Sequence, residues 1–252
     1  MKKFITALAF VFAPVLAMAA GGPGIPLDHM KPDLEDRASL QRGAALATNY
    51  CMGCHSFKFA RYERVATDLG IPNDLYEKNL IFTGAKIGEL MHISMDSADA
   101  KGWFGNPPPD LSLEARLRGT DWLYSYLRAF YVDDSRPYGV NNTIFPDVGM
   151  PHVLADLQGV CAEQPHFGVE PQYDPLSGRE LTSSGCKEYA VKGSLSPEEY
   201  DKAMYDLVNF LAYMGEPSKL ESHRLGKYVL AFLAFLFIFV YFLNREYWKD
   251  VH

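Results

Sequence analysis

Residues 51–55 read Cys-Met-Gly-Cys-His, and no other stretch of the 252-residue chain narrows the choice of fold as far. Two cysteines separated by two residues, with a histidine directly after the second, is the pattern of covalent c-type haem attachment. Each thiol adds to a haem vinyl group, and the two-residue gap lets one turn of chain span both positions. The same geometry aims the His55 imidazole at the iron. A Cys-x-x-Cys pair alone would also suit a redox dithiol or half of a zinc site. No second cysteine pair with ligand spacing follows, and His55 stands where haem attachment needs it. One covalently bound haem c is therefore expected, with thioethers at Cys51 and Cys54 and His55 as an axial ligand.

The two ends of the chain place this centre relative to a membrane. Lys2 and Lys3 precede an apolar run from Phe4 to Leu16, and Ala17-Met18-Ala19 is a small-x-small cleavage site. Residues 1–19 are expected to be a cleaved signal peptide, exporting the rest to a bacterial periplasm. Near the other end, Tyr228 to Leu243 carries no charge and has no polar side. At 1.5 Å per residue it covers about 24 Å, and its flanks extend it towards the roughly 30 Å of a bilayer core. Lys227 and Arg245 can snorkel, and Tyr247 and Trp248 suit the far interface. We expect a periplasmic haem domain over 20–222, a single membrane-spanning helix over 223–245 and a cytoplasmic tail over 246–252. The formal net charge of −7 becomes −9 once Lys2 and Lys3 are removed, which argues against a nucleic-acid partner and suits solubility or a cationic partner.

Between these ends the pattern is helical with long irregular stretches. Ala20 to Pro32 is rich in Gly and Pro and reads as an extended arm. A helix from about Leu34 to Tyr50 delivers the chain into the haem motif. Ser56 is placed to cap a helix running through Leu69 and ended by Gly70, and Asn73 to cap a short one over Asp74 to Phe82. Residues 83–106 give weak signals. Three consecutive prolines, Pro107 to Pro109, form a rigid extended wall. Thr120 opens a helix expected to reach Tyr131, with Trp122, Tyr126 and Phe130 on one face. Residues 133–150 read as loop, and 159–193 show no sustained period. Ser196-Pro197-Glu198-Glu199 then opens a helix with a cap, a proline at its first position and a capping box. Tyr200, Met204, Leu207, Leu211 and Met214 fall along its apolar stripe.

A haem that only passes electrons needs a second strong axial ligand, and a thioether opposite imidazole raises the reduction potential. Met204 and Met214 belong to an apolar stripe, and Met91 and Met95 lie close to the haem motif. Met150 stands in a loop between Pro146 and Pro151, with Gly149 beside it. On these grounds Met150 and the nearby His152 remain rivals for the sixth position.

The ordered set of motifs resembles the cytochrome c1 family, the haem subunit of quinol–cytochrome c reductase (the cytochrome bc1 complex) of bacterial type. The likeness rests on Asn49 to Ser56 (NYCMGCHS), Pro108 to Ser112 (PPDLS), Arg116 and Arg118 (Arg-x-Arg), Gly149 to Pro151 (GMP), and a final helix running through Gly215-Glu216-Pro217 into the apolar segment. What the resemblance implies is Met150 as the sixth ligand, Arg116 at a haem propionate, and Pro108 and Pro109 along the haem edge. Its implied fold is mainly α, a class I cytochrome c-like haem domain with long loop insertions plus one C-terminal transmembrane helix. Gly43 would then permit the helix before the motif to approach the Leu207 to Tyr213 region. The second cysteine pair departs from the mitochondrial pattern. Cys161 and Cys186 bracket an irregular segment in an oxidising compartment, and a disulfide between them is expected, contributing about 3 kcal/mol by loop closure.

The implied activity is single-electron transfer from a Rieske iron–sulfur protein to a soluble or membrane cytochrome c, in an assembly with cytochrome b at the bacterial inner membrane. The chain would then be a subunit of an oxidoreductase with no catalytic residue of its own, tethered in membrane lipid. Two other readings are a haem enzyme or gas sensor with an open distal site, for which His152 or His166 would supply the acid–base group, and a tethered redox shuttle that works alone.

Overall fold

The computed structural model describes residues 25–168, 172–173, 180–182 and 185–249, and the leader expected over 1–19 lies outside them. Asp36 caps helix α1 (Arg37–Leu46) by accepting from the Ser39 amide, and the helix widens into a π-type turn over Ala47–Cys51 at the haem motif. Strand β1 (Phe57–Arg61) pairs antiparallel with β2 (Leu90–Met91). Helices α2 (Tyr62–Leu69) and α3 (Asn73–Leu80) lie between them in sequence, and Gly70 ends α2 in the left-handed region at φ 70°. Helix α4 (Ser97–Phe104), capped by Asp96, leads into the proline run, and α5 (Glu114–Arg118) and α6 (Thr120–Leu127) follow it.

A mixed four-stranded sheet then interrupts the helices. Its strands are β3 (Phe130–Val132), β4 (Val140–Asn142), β5 (Gly159–Cys161) and β8 (Tyr189–Lys192), in spatial order β4-β3-β5-β8. Helix α7 (Ala155–Gln158) leads into β5, and strands β6 (Gln172–Tyr173) and β7 (Glu180–Thr182) form a separate antiparallel pair. Cys161 stands opposite Tyr131 in the parallel β3–β5 pairing and is joined by a disulfide to Cys186, with Cα atoms 5.6 Å apart. Helices α8 (Pro197–Gly215) and α9 (Lys219–Tyr247) complete the chain.

The core forms where α1 crosses α8. A Cβ at Gly43 would collide with the Asp206 carbonyl and with Cβ of Phe210, so only glycine allows this approach. Arg42 fixes the crossing with two hydrogen bonds to the buried Asp206 carboxylate, at 2.5 and 3.0 Å. The α8 stripe packs beneath it, with Tyr200, Met204, Leu207, Leu211 and Met214 all buried. Helix α8 begins with a complete capping box, in which Ser196 Oγ accepts from the Glu199 amide while the Glu199 carboxylate accepts from the Ser196 amide. The arm runs over this bundle, held by the Asn209 amide donating to the Asp33 carbonyl and by the Thr120 hydroxyl donating to the Met30 carbonyl.

Five elements differ from the sequence expectation. Asn73 is the first residue of α3 and makes no cap hydrogen bond, Pro72 holding the cap position, and the stretch 133–150 expected as loop contains strand β4. Ser56 caps no helix. Residues 57–61 are extended because Asp110 accepts from the Lys58 amide and Ser112 Oγ from the Phe59 amide, while Ser56 Oγ accepts from the Ile93 amide. Helix α6 stops at Leu127 rather than Tyr131. The aromatic and β-branched Phe130-Tyr131-Val132 enters the sheet, and the buried Arg128 guanidinium is held between Asp28 and Asp201. The segment 159–193 contributes strands β5 to β8, whose two to four residues are too short for a period to show in sequence.

Helix α9 is 29 residues long, with a mean hydropathy of 2.2 over its most apolar window and none of that window buried. Its length is about 44 Å at 1.5 Å per residue, more than a bilayer core requires. Phe235 and Phe239, one turn apart, lie edge to face at 4.8 Å, as expected of neighbours on one helix face.

Candidate functional site

The haem motif opens onto a cleft of 340 Å³. The Cys54 and His55 amides both donate to the Cys51 carbonyl, at 3.0 and 2.9 Å, so the five residues fold into one turn and Cys51, Cys54 and His55 line the same wall. Cys51 and Cys54 are not bridged to each other. Burial, followed by the neighbouring Cys54, pushes the Cys51 thiol up to about 12. A redox Cys-x-x-Cys works instead with a lowered thiol.

His55 lies within hydrogen-bonding distance of one carbonyl. Its Nδ1 is 2.7 Å from the Pro109 oxygen. A carbonyl only accepts, so Nδ1 carries the proton and Nε2 keeps a free lone pair. Burial holds the imidazole below its ordinary value, against the opposing pull of the Pro109 carbonyl and the carboxylates of Glu114 and Asp110. A neutral, oriented imidazole is what an iron ligand needs. Pro108 and Pro109 line the same wall, and the rigid run accounts for the fixed position of the carbonyl.

Val148, Gly149 and Met150, in the loop after β4, also line the cleft. The Tyr126 hydroxyl donates to Met150 Sδ at 3.3 Å. Among the described methionines, Met150 alone lines the cleft; Met91, Met204 and Met214 are in the core. His152 does not line it. Its ring stacks on Phe130 at 4.6 Å, its Nε2 donates to the Gly159 carbonyl at 2.9 Å, and burial pushes it down to about 4. His166 is exposed and is also outside the cleft wall. Of the two rivals for the sixth position, Met150 lines the cleft and His152 does not, and His55 is the one histidine among the described residues lining it.

The floor and sides are apolar, with Leu111, Leu123, Leu127, Leu207 and Leu211 beside Trp122 and Phe145. Arg118 is the arginine of the cleft wall, its guanidinium 4.8 Å from the Trp122 ring centre and 5.7 Å from that of Phe145. Its carboxylate neighbour Glu114 is 3.6 Å away, on the preceding turn of α5. Arg116, expected at a propionate from the resemblance, is off the cleft wall. Its stem lies against Gly215 at the end of α8, 3.0 Å from where a Cβ would stand. On a short helix, residues two apart point in different directions, which separates the two arginines. Paired thiols, a neutral imidazole with a free nitrogen, a thioether in the same cleft, apolar walls and one guanidinium together fit haem c and its carboxylates.

Sequence reading missed three of these groups. In sequence Tyr126 reads only as part of an apolar helix face, the Pro109 carbonyl belongs to the backbone, and Arg118 differs from Arg116 by its position on α5 alone.

Residues 184–251 match the family model described as Cytochrome C1 family. The whole chain is 52% identical to cytochrome c1 of Allochromatium vinosum over 252 residues, covering 100% of both chains. It is 42% identical to a protein of Nitrosomonas europaea named ammonia monooxygenase gamma subunit, covering 100% of this chain and 99% of that one. Cytochrome c1 of Rhodobacter capsulatus is 21% identical over 84% of this chain and 83% of its own length.

Proposed function

The chain belongs to the cytochrome c1 family, and from that premise we propose that Cys51 and Cys54 carry haem c through thioethers, with His55 and Met150 as the axial ligands of its iron. The protein is an electron-transfer subunit of the bc1 oxidoreductase complex, with an apolar C-terminal helix as its membrane anchor. Haem c follows from the family, and it supplies a one-electron ferric–ferrous couple. The chain's residues set the terms of that couple. Burial holds His55 neutral and the Pro109 carbonyl points it, Met150 presents a soft thioether, and the leucine-rich walls exclude water. Arg118 is the residue we assign to a propionate, since a guanidinium fork meets a carboxylate well and this arginine is on the wall.

The proposed electron donor is a Rieske iron–sulfur protein and the acceptor a soluble or membrane cytochrome c, with cytochrome b as the membrane neighbour. The mature acidic balance would steer a cationic acceptor at rates that fall with salt. The haem domain is assigned to residues 20–222 on the periplasmic side of the inner membrane, the anchor to 223–245 within α9, and the tail to 246–252 in the cytoplasm. The observation that carries the reading is that His55 and Met150 line one apolar cleft with both cysteines of the motif.

The optical spectrum with a redox titration tests it. The ferric protein is expected to be low-spin, with the long-wavelength methionine–iron band and no ready carbon monoxide binding in the ferrous state. Met150→Leu is expected to lose that band and to lower the potential. A Met150→Leu protein that kept both would remove Met150, and a high-spin ferric wild type would return the open-site enzyme.

A further inference from the structure

The Met150 loop has no covalent tie to the haem motif's wall, and its shape is imposed by the turn between β3 and β4. Asp147 is the sole non-glycine among the described residues with a positive φ, at 61°. A left-handed aspartate is costly unless neighbouring groups specify it. Arg136 and Asn141 are those groups. Arg136, in the β3–β4 turn, donates from Nη1 to the Asp147 carboxylate at 2.9 Å and from Nη2 to the Asp147 carbonyl at 2.8 Å, with a longer contact to the Val148 carbonyl at 3.4 Å. Asn141 Oδ1 accepts from the Asp147 amide at 2.9 Å, and Asn142 Oδ1 accepts from the Ile144 and Phe145 amides at 2.9 and 3.1 Å.

The same turn reaches the other lip of the cleft. The Tyr138 hydroxyl donates to the Trp103 carbonyl at 3.3 Å, and the Phe104 carbonyl is 3.4 Å from where a Cβ on Gly149 would stand. Val148 is buried against Phe130 and Val140, and Met150, two residues on, packs against the same cluster.

We propose that Arg136 is the positioning residue for the distal thioether, fixing the Asp147–Val148 backbone so that Met150 presents its sulfur to the cleft. This rests on Met150 being the sixth ligand. The carbonyl bonds carry the role rather than the ion pair. The Asp147 side chain is 80% exposed, and an exposed pair is worth little. The guanidinium is 24% exposed, and its Nε is buried with no partner, so the fork is spent on the loop.

Ligand competition in the full-length holoprotein in detergent tests this. In the ferric wild type, Met150 competes with added imidazole for the iron. Arg136→Ala is expected to bind imidazole roughly tenfold more tightly and to weaken the methionine–iron band, since hydrogen bonds from a charged donor hold the loop. Arg136→Lys, which keeps the charge and a donor but loses the fork, is expected to fall between the two. Asp147→Asn is expected to stay within about twofold of wild type. An Arg136→Ala protein that is less stable to denaturant but binds imidazole as wild type does overturns the proposal and makes Arg136 a fold residue only. If Arg136→Ala does not accumulate, wild-type imidazole affinity in Arg136→Lys overturns it equally. A wild type with no methionine–iron band would instead remove the Met150 assignment and the positioning role with it, a distinct result.

Discussion

The two walls of the cleft are built on opposite plans. On the histidine side, Cys51, Cys54 and His55 are contiguous in sequence and folded by bonds within one turn, and a single long-range bond to Pro109 orients the ring. On the methionine side, Met150 stands in a loop held by Arg136, Asn141, Asn142 and Tyr126, residues eight to 24 positions away in sequence. A ligand next to two covalent attachments needs little outside support. A ligand with no such attachment is only as firm as the burial and hydrogen bonds around it, and this makes the methionine side the adjustable one.

The largest effect should come from breaking the histidine side. Replacing Cys51 and Cys54 together by serine is expected to abolish covalent haem, so the denatured chain loses haem staining and its mass falls to that of its amino acids. A double variant that still carried haem through denaturation would mean the wall is not held by the thiols at all, and the contrast between the sides would vanish.

This asymmetry also explains what the sequence made legible. Groups whose geometry is local could be read directly, among them the Cys51-to-His55 turn, the Ser196–Glu199 capping box and the left-handed Gly70 after α2. Gly43 at the helix crossing followed from the fold that the family resemblance implies, not from the local pattern. Groups that depend on distant chain could not be read this way. Ser56 has the chemistry of a cap, yet its hydroxyl serves Ile93, while Asp110 and Ser112 take the amides of Lys58 and Phe59. Arg116 and Arg118 are equivalent by composition and spacing, and only the packing of α5 on α8 separates them. The sheet carrying the methionine side escaped notice because its strands are three or four residues long and pair across gaps of the chain.

A middle-sized effect should follow from loosening the methionine side at a distance. The Cys161–Cys186 bridge closes a segment between β5 and β8, and β5 pairs with β3, whose hairpin holds the Met150 loop. Serine at both cysteines is expected to cost about 3 kcal/mol of stability by loop closure. Denaturant unfolding followed at the haem band measures it, with the covalent haem content unchanged. No shift in the unfolding midpoint would mean that the sheet holds its shape without the bridge, and that the methionine side is firmer than its loops suggest.

The smallest effect gives the sharpest comparison, because each proposed iron ligand has one hydrogen-bonding neighbour and the two act in opposite senses. Pro109 accepts from His55 at 2.7 Å, which makes the imidazole more electron-rich and favours ferric iron. Tyr126 donates to Met150 at 3.3 Å, which draws density from the sulfur and disfavours ferric iron. Sulfur is a weak acceptor, so the Tyr126 bond is worth about 0.5–1 kcal/mol. For one electron that corresponds to about 20–40 mV, since a tenfold change in an equilibrium is 59 mV. Tyr126→Phe removes the donor while keeping the ring that stacks on Trp122 at 4.8 Å. Its potential is therefore expected to fall by that amount, with the methionine–iron band retained. A rise in potential would reverse the sign assigned to the bond, and loss of the band would show that the hydroxyl holds the thioether in place rather than tuning it.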